Sequence, residues 1–192
     1  QNSQLSHDTI AAAIELAAVT QLKSLLGLPE AFSGSLVSGA TMANFAGLAI
    51  GRQWLGQQHG VDIAQQSLAA LGPIRVLAAN PHSSSVKALS MLGIGRDALT
   101  TVASLPDSEA MDMAALERQL AAGAGRPTLV LASAGTVNTV AFDDLPRLLA
   151  LRERYPFWLH VDAAFGGVAA CSPLYAPRLE GWQHADSITV DA

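Results

Sequence analysis

An α/β fold, a mostly parallel sheet with helices on both faces, is what this chain predicts, and three observations carry it. Short apolar runs, IRVLAA (74–79), LTTVA (99–103), TLVLA (128–132), FWLHV (157–161) and SITV (187–190), alternate along the chain with segments of helical periodicity. The runs are continuously apolar rather than alternating, as strands covered on both faces are. Hydrophobic residues make up 50% of the 192 and charged residues 14%, enough apolar material for a core on each side of a sheet. In such folds the crossovers are right-handed and ligands bind outside the carboxyl ends of the strands.

The helical segments follow from their own patterns. TIAAAIELAAVTQLKSLL (9–26) carries apolar residues at helical spacing, with Asp8 placed as a cap and Gly27 and Pro29 as the stop, and reads as a helix packed on two sides. Residues 42–58 form a second helix directly after the turn SGSLVSGAT. Segment 56–72, GQQHGVDIAQQSLAALG, is rich in Gln and Gly and reads as a loose surface excursion. Helices over 83–92, 113–122 and 145–154 complete the alternation. The length fits one domain, with no internal repeat or low-complexity stretch.

Composition excludes several functions. A net charge of −5 without any Lys or Arg cluster gives nucleic acid no footprint. No apolar run reaches the ~18–20 residues that span a bilayer, and QNSQLSHDTI lacks the basic start and apolar centre of a signal peptide. A soluble, cytoplasmic protein without nucleic-acid or membrane partners is the expectation. Cys171 is the single cysteine, which rules out an intrachain disulfide or a cysteine-based zinc cluster within this chain, and it is expected as a small buried hydrophobe. No metal site is expected.

Chemistry concentrates at the ends of elements. Asp162 closes the run FWLHV, and a carboxylate at the end of a buried strand needs backbone donors, a basic side chain or a bound cation; alternatively it caps the next turn. The following AAFGG (163–167) removes side-chain volume, as where a flat ligand approaches the backbone. Ser38-Gly39-Ala40-Thr41 feeds a helix N-terminus, either an anion site suited to phosphate or a plain N-cap by Thr41. It matches neither GxxxxGK[ST] nor GxGxxG, which argues against a nicotinamide-dependent dehydrogenase. His82 follows IRVLAA at a helix start, as a cap, a surface residue, a ring-stacker or an acid–base group. Ser133-Ala134-Gly135-Thr136 ends TLVLA in the same way. A ligand with a phosphate and a flat ring bearing a basic nitrogen would use Ala40, Thr41, His82, Thr136 and Asp162 together. Pyridoxal 5'-phosphate (PLP) is such a ligand.

With these residues in place, the chain resembles the group II PLP-dependent decarboxylases, which act on aromatic amino acids, histidine, glutamate or cysteine sulfinate. The motifs IAAAIELAAVTQLKSLLGLP, SGATMAN, HSSSVKALSMLG, ASAGTV, FWLHVDAAFGG and ADSITVDA occur in the family's order. The resemblance implies the large domain of a fold-type I enzyme, a homodimer, and decarboxylation of an L-amino acid to its amine and carbon dioxide. It implies that Ala40 and Thr41 hold the cofactor phosphate with Ser187, that Asp191 stands where relatives contact that phosphate, that His82 stacks on the ring and contacts substrate, that Asp162 partners the ring nitrogen, and that Ala164 lies on the opposite ring face.

The sequence departs from the family at Met42, where relatives often carry Glu or Gln, and at Val137 and Val140, where Thr and Gly are common; Thr136 stands beside Val137. The family continues ADSITVDA with His-Lys, the lysine that binds the cofactor covalently, and neither Lys23 nor Lys87 matches it. Residues 1–192 are therefore read as the PLP-binding large domain of a longer enzyme, without its N-terminal segment, that lysine and the C-terminal small domain. An aminotransferase, a carbon–carbon lyase, a desulfurase or a catalytically silent assembly domain on the same scaffold are the alternatives.

Overall fold

The computed structural model describes residues 10–191. Strands β1 (Arg75–Ala78), β2 (Leu99–Thr101), β3 (Thr128–Ser133), β4 (Trp158–Asp162) and β5 (Ser187–Thr189) form one parallel sheet in the order β2-β1-β3-β4-β5. Helices α1 (Ala11–Leu25), α2 (Ala40–Gln58), α3 (Ile63–Gln66), α4 (Ser83–Met91), α5 (Met113–Ala122) and α6 (Leu145–Arg152) surround or flank it.

The period of two along each strand divides the core between the faces. Val76, Ala78, Leu129, Leu131 and Trp158 pack with Leu48 and Leu55 of α2 and Ala88 and Leu89 of α4. Leu77, Val130, Ala132, Leu159 and Val161 pack with Leu116 and Leu120 of α5 and Leu145 and Leu148 of α6. Each fully buried Val or Leu side chain among them contributes about 1.5–3 kcal/mol, which is why strands of three to six residues hold. The predicted α/β class, with helices on both faces, is what the chain adopts.

Strand order reverses between β1 and β3, the kind of switch point at which a parallel sheet opens a crevice. The register sets Ser133 level with Asp162, and Asp162 level with Thr189, so three strands end at one height. Side-chain caps fix the helix starts: Asp112 Oδ1 accepts from Ala114 N at 2.8 Å, and Asp144 Oδ1 from Arg147 N at 3.0 Å.

Several expectations need correction. Helix α1 buries none of its described residues and exposes Ile14, Leu16 and Leu25, with Ile10 exposed just before it, because its apolar side chains spread around the helix instead of forming one stripe. Its proposed cap, Asp8, lies outside the described residues. Segment 56–72 is not loose: Asp62 caps α3 through Ala64 N at 3.0 Å, and Ile63 is buried. Cys171 is exposed. Helix α2 begins at Ala40, with Gly39 as its N-cap at φ 108°, so Thr41 sits inside the first turn and caps nothing. Among the described residues no helix is long and apolar enough to cross a membrane.

Candidate active site

At the carboxyl ends of β1, β3, β4 and β5 lies a cleft of about 570 Å³. Ala40, His82, Thr136, Asp162, Ala164 and Asp191, six of the residues singled out from the sequence, line it. Elements far apart in sequence meet there because each ends at the same edge of the sheet. Thr41 is exposed in the first turn of α2 beside Ala40, where the backbone N–H groups have no intrahelical acceptor and the positive end of the helix dipole lies.

Ser187 is not brought to the cleft. It pairs with His160, two residues before Asp162, and its hydroxyl is engaged there by Trp158 Nε1 at 3.0 Å and His160 Nδ1 at 2.8 Å. Its hydroxyl is engaged in the polar layer beneath the cleft instead of on the cleft lining.

One face of β4 organises the floor. Trp158, His160 and Asp162 alternate onto the side covered by α2, which meets them with Asn44, Gly47 and Gly51 at helical spacing. Asn44 Nδ2 donates to Asp162 Oδ2 at 2.8 Å and lies 3.0 Å from Ser84 Oγ, while Asn44 Oδ1 is 2.9 Å from His160 Nε2. Asp162 Oδ1 accepts from Ala164 N at 3.2 Å. The partner that the sequence demanded of Asp162 is thus an amide and a backbone donor, and the carboxylate both caps the next turn and faces the cleft. His160 is fully buried, and that burial pushes its imidazole down to about 4 against the upward pull of Asp162.

His82 also combines two readings: its Nδ1 caps α4, accepting from Ser84 N at 3.3 Å, and lies 2.8 Å from Ser84 Oγ, while the ring lines the cleft. On the opposite wall Thr136 Oγ1 donates to Glu109 and accepts from Ala141 N at 3.0 Å. Glu109 also takes Thr139 Oγ1 at 2.7 Å and Asn138 Nδ2 at 3.1 Å. These bonds, with Thr136 foremost, hold the Glu109 carboxyl down to about 2. Beneath the wall the buried Asp143 ties Met111 N at 2.6 Å to Ser133 N at 2.7 Å; burial pushes it up to about 6, and the two N–H bonds oppose that rise.

The small residues after Asp162 serve packing more than ligand approach. A Cβ on Gly166 would strike the Ala134 carbonyl, and one on Gly167 would stand 3.0 Å from Val190 Cγ1. Val140 takes a left-handed conformation, φ 54°, at the position where the resembled family often carries Gly. Neither Lys23 nor Lys87 lines the cleft; Lys23 Nζ instead binds the carbonyls of Glu30 and Phe32 at 3.0 and 2.7 Å.

Sequence reasoning missed Asn44, Ser84, His160 and Glu109. A period of two counted back from Asp162 would have placed His160 on its face. Asn44, one turn beyond Ala40 in an apolar helix, was equally readable as a buried polar group. Glu109 carries no such signal, since its partners lie some thirty residues on.

The comparisons with known proteins agree with this geometry. The pyridoxal-dependent decarboxylase conserved domain matches residues 6–192. L-2,4-diaminobutyrate decarboxylase of Rhizobium meliloti is 35% identical over 179 residues, covering 92% of this chain and 33% of that protein. Cysteine sulfinic acid decarboxylase of Rattus norvegicus is 32% identical over 172 residues, covering 88% and 34%. The crystal structure of Oryza sativa TDC with PLP and tryptamine superposes with a TM-score of 0.82 at 25% identity, covering 94% of this chain and 39% of that one. The chain thus spans about a third of the length of the curated relatives it matches. With its parallel sheet, its convergent cleft and a domain match over nearly its whole length, this chain belongs to the pyridoxal-dependent decarboxylase family.

Proposed function

We propose that this chain forms the PLP-binding large domain of a longer enzyme that decarboxylates an amino acid to the corresponding amine and carbon dioxide. The observation that carries the reading is Asp162: a carboxylate set at the cleft floor, backed by Asn44 and Ala164 N, in a lining that holds neither Lys nor Arg among the described residues. It suits a ligand that brings its own buried N–H.

The residues present fit the cofactor. The open first turn of α2 at Ala40 and Thr41 suits its phosphate, with Asp191 nearby; His82 and Ala164 suit the two faces of its ring, and Thr136 the rim. When bound, PLP supplies an electron sink for the pair of electrons left as carbon dioxide departs. Asp162 holds a proton at the ring nitrogen, which keeps that sink charged. Asn44 and Ala164 N hold the carboxylate in place, and His82, whose ring lines the cleft, would orient substrate there. The described lining contains Glu109, Asp162 and Asp191 but neither Lys nor Arg, so these residues offer an acidic substrate side chain no ion pair.

The reading includes a homodimer in the cytoplasm, supported on the first point by the apolar side chains that α1 leaves exposed. Light scattering on the intact protein checks it, with a monomer at micromolar concentration as the refuting result.

The decisive experiment is Asp162→Ala in the intact protein. Turnover is expected to vanish while part of the cofactor binding survives through the phosphate contacts. Near-normal release of carbon dioxide by that variant would refute the assignment, and a product other than amine plus carbon dioxide from the parent would move it to another reaction on the same scaffold.

A further inference from the structure

The hydrogen bonds around Asn44 leave one consistent arrangement of protons. The carboxylate of Asp162 accepts, so the Asn44 atom 2.8 Å from it is the amide nitrogen, whose second hydrogen goes to Ser84 Oγ at 3.0 Å. The amide oxygen then faces His160 Nε2 at 2.9 Å, which places the His160 proton on Nε2. His160 Nδ1 accepts the Ser187 hydroxyl at 2.8 Å, and that oxygen in turn accepts from the donor-only indole of Trp158 at 3.0 Å. Every donor on this branch has an acceptor.

The second branch runs to the cleft. Ser84 Oγ, having accepted from Asn44, sends its own hydrogen to His82 Nδ1 at 2.8 Å. The Ser84 backbone N–H, which can only donate, points at the same nitrogen from 3.3 Å. His82 Nδ1 is therefore an acceptor, and the ring carries its proton on Nε2, the nitrogen outside this network.

We propose that Asn44 is a positioning residue that couples the two ring-facing groups of the site: one amide holds Asp162 and, through Ser84, fixes His82 as its Nε2–H tautomer. The carboxylate is presented as an acceptor and the imidazole as a donor by the same side chain, one turn beyond the end of α2 at Ala40. The tautomer is a property of the chain itself. Its catalytic consequence rests on the decarboxylase reading.

The test separates the two. The intact protein is labelled with ¹⁵N-histidine, freed of cofactor, and examined by long-range ¹H–¹⁵N correlation at neutral pH, with His82 and His160 assigned by single replacement. Both rings are expected to show a protonated Nε2 and an unprotonated Nδ1; a His82 with its proton on Nδ1 overturns the proposal outright. Ser84→Ala removes one hydrogen bond of the second branch, so the His82 tautomer ratio should fall by about 2- to 10-fold, the range one net hydrogen bond commands. His160 should be unmoved, and Ser84→Thr, which keeps the hydroxyl, should restore the parent pattern. Asn44→Ala should disturb both rings. If Ser84→Ala leaves the His82 pattern intact, Asn44 has no hold on that ring and the coupling is refuted, whether or not the enzyme proves to be a decarboxylase.

Discussion

Gly47→Ala should destabilise the protein, against the ordinary rule for helices. Alanine in a helix interior is worth about 0.8–1 kcal/mol over glycine, so a neutral environment would reward the change. Here a Cβ would lie 2.6 Å from His160 Cε1, 2.7 Å from its Nδ1 and 3.1 Å from Ser187 Oγ. Carbon contacts settle at about 3.5–4.0 Å, so the ring or the helix must give by roughly 1 Å. The ring has no room to do so: it is fully buried and tethered at both nitrogens, at 2.8 and 2.9 Å. Overpacking of this kind costs about 1–3 kcal/mol, and breaking one tether costs about another 1–3 kcal/mol. The balance is a net loss of about 1–5 kcal/mol once the helix gain is subtracted. Urea denaturation of the intact protein, parent against variant, reads this directly, and His160 nitrogen shifts report the broken tether. A Gly47→Ala protein as stable as its parent, with those shifts unmoved, would refute the claim that α2 is seated on the ring.

The remaining predictions concern pH and the walls of the cleft. His160, depressed from 6.5 to about 4, takes up fewer protons folded than unfolded between those values, so its contribution is present above pH 6.5 and lost as pH falls toward 4. Asp143, raised from 3.8 to about 6, has the opposite sign: its contribution falls as pH rises from 3.8 to 6. The two oppose each other between pH 4 and 6, so Asp143→Asn should unmask the His160 slope, about 3 kcal/mol at ~1.36 kcal/mol per unit; a variant whose denaturation midpoints follow pH as the parent's do would contradict the Asp143 assignment. Glu109→Gln should loosen residues 136–141, seen as faster amide exchange there, and Glu109's contribution to stability, present above about pH 4.5, should fade as pH drops toward 2; unchanged exchange would remove Glu109 as the anchor of that wall. Val140→Gly relieves a left-handed β-branched residue and should raise stability by about 1 kcal/mol, whereas a lowered melting temperature would mean that the exposed Val side chain matters more than its backbone.

The sheet was readable because its strands are buried on both faces, and a continuous apolar run such as TLVLA or FWLHV has few other uses. Their ends were readable too, and the residues standing there, His82, Thr136, Asp162 and Asp191, do line the cleft. What stayed hidden is the polar layer below. Asn44, Ser84 and His160 sit inside segments whose pattern is otherwise that of core, and their partners come from other elements, so no local period announces them. The pairing of Ser187 with His160 was hidden for a related reason. A motif near the end of the chain gave its neighbourhood, but only the register with His160 revealed that it stands two residues below the floor. Helix α1 looked like a core helix because apolar content was easier to count than its distribution around the axis.

Helix α2 offers its free N–H groups at Ala40 and Thr41 and, one turn later, grips the carboxylate through Asn44. At about 1.5 Å per residue, those two points are separated by roughly 6 Å of rigid rod, and Gly47 and Gly51 press that rod onto β4 so that it cannot slide. The gauge for ligand length is therefore cut into main-chain geometry. Replacing the side chains of Ala40 or Thr41 leaves the gauge as it is, while a single methyl group at Gly47, pressed against His160, shifts the whole rod relative to the carboxylate on β4.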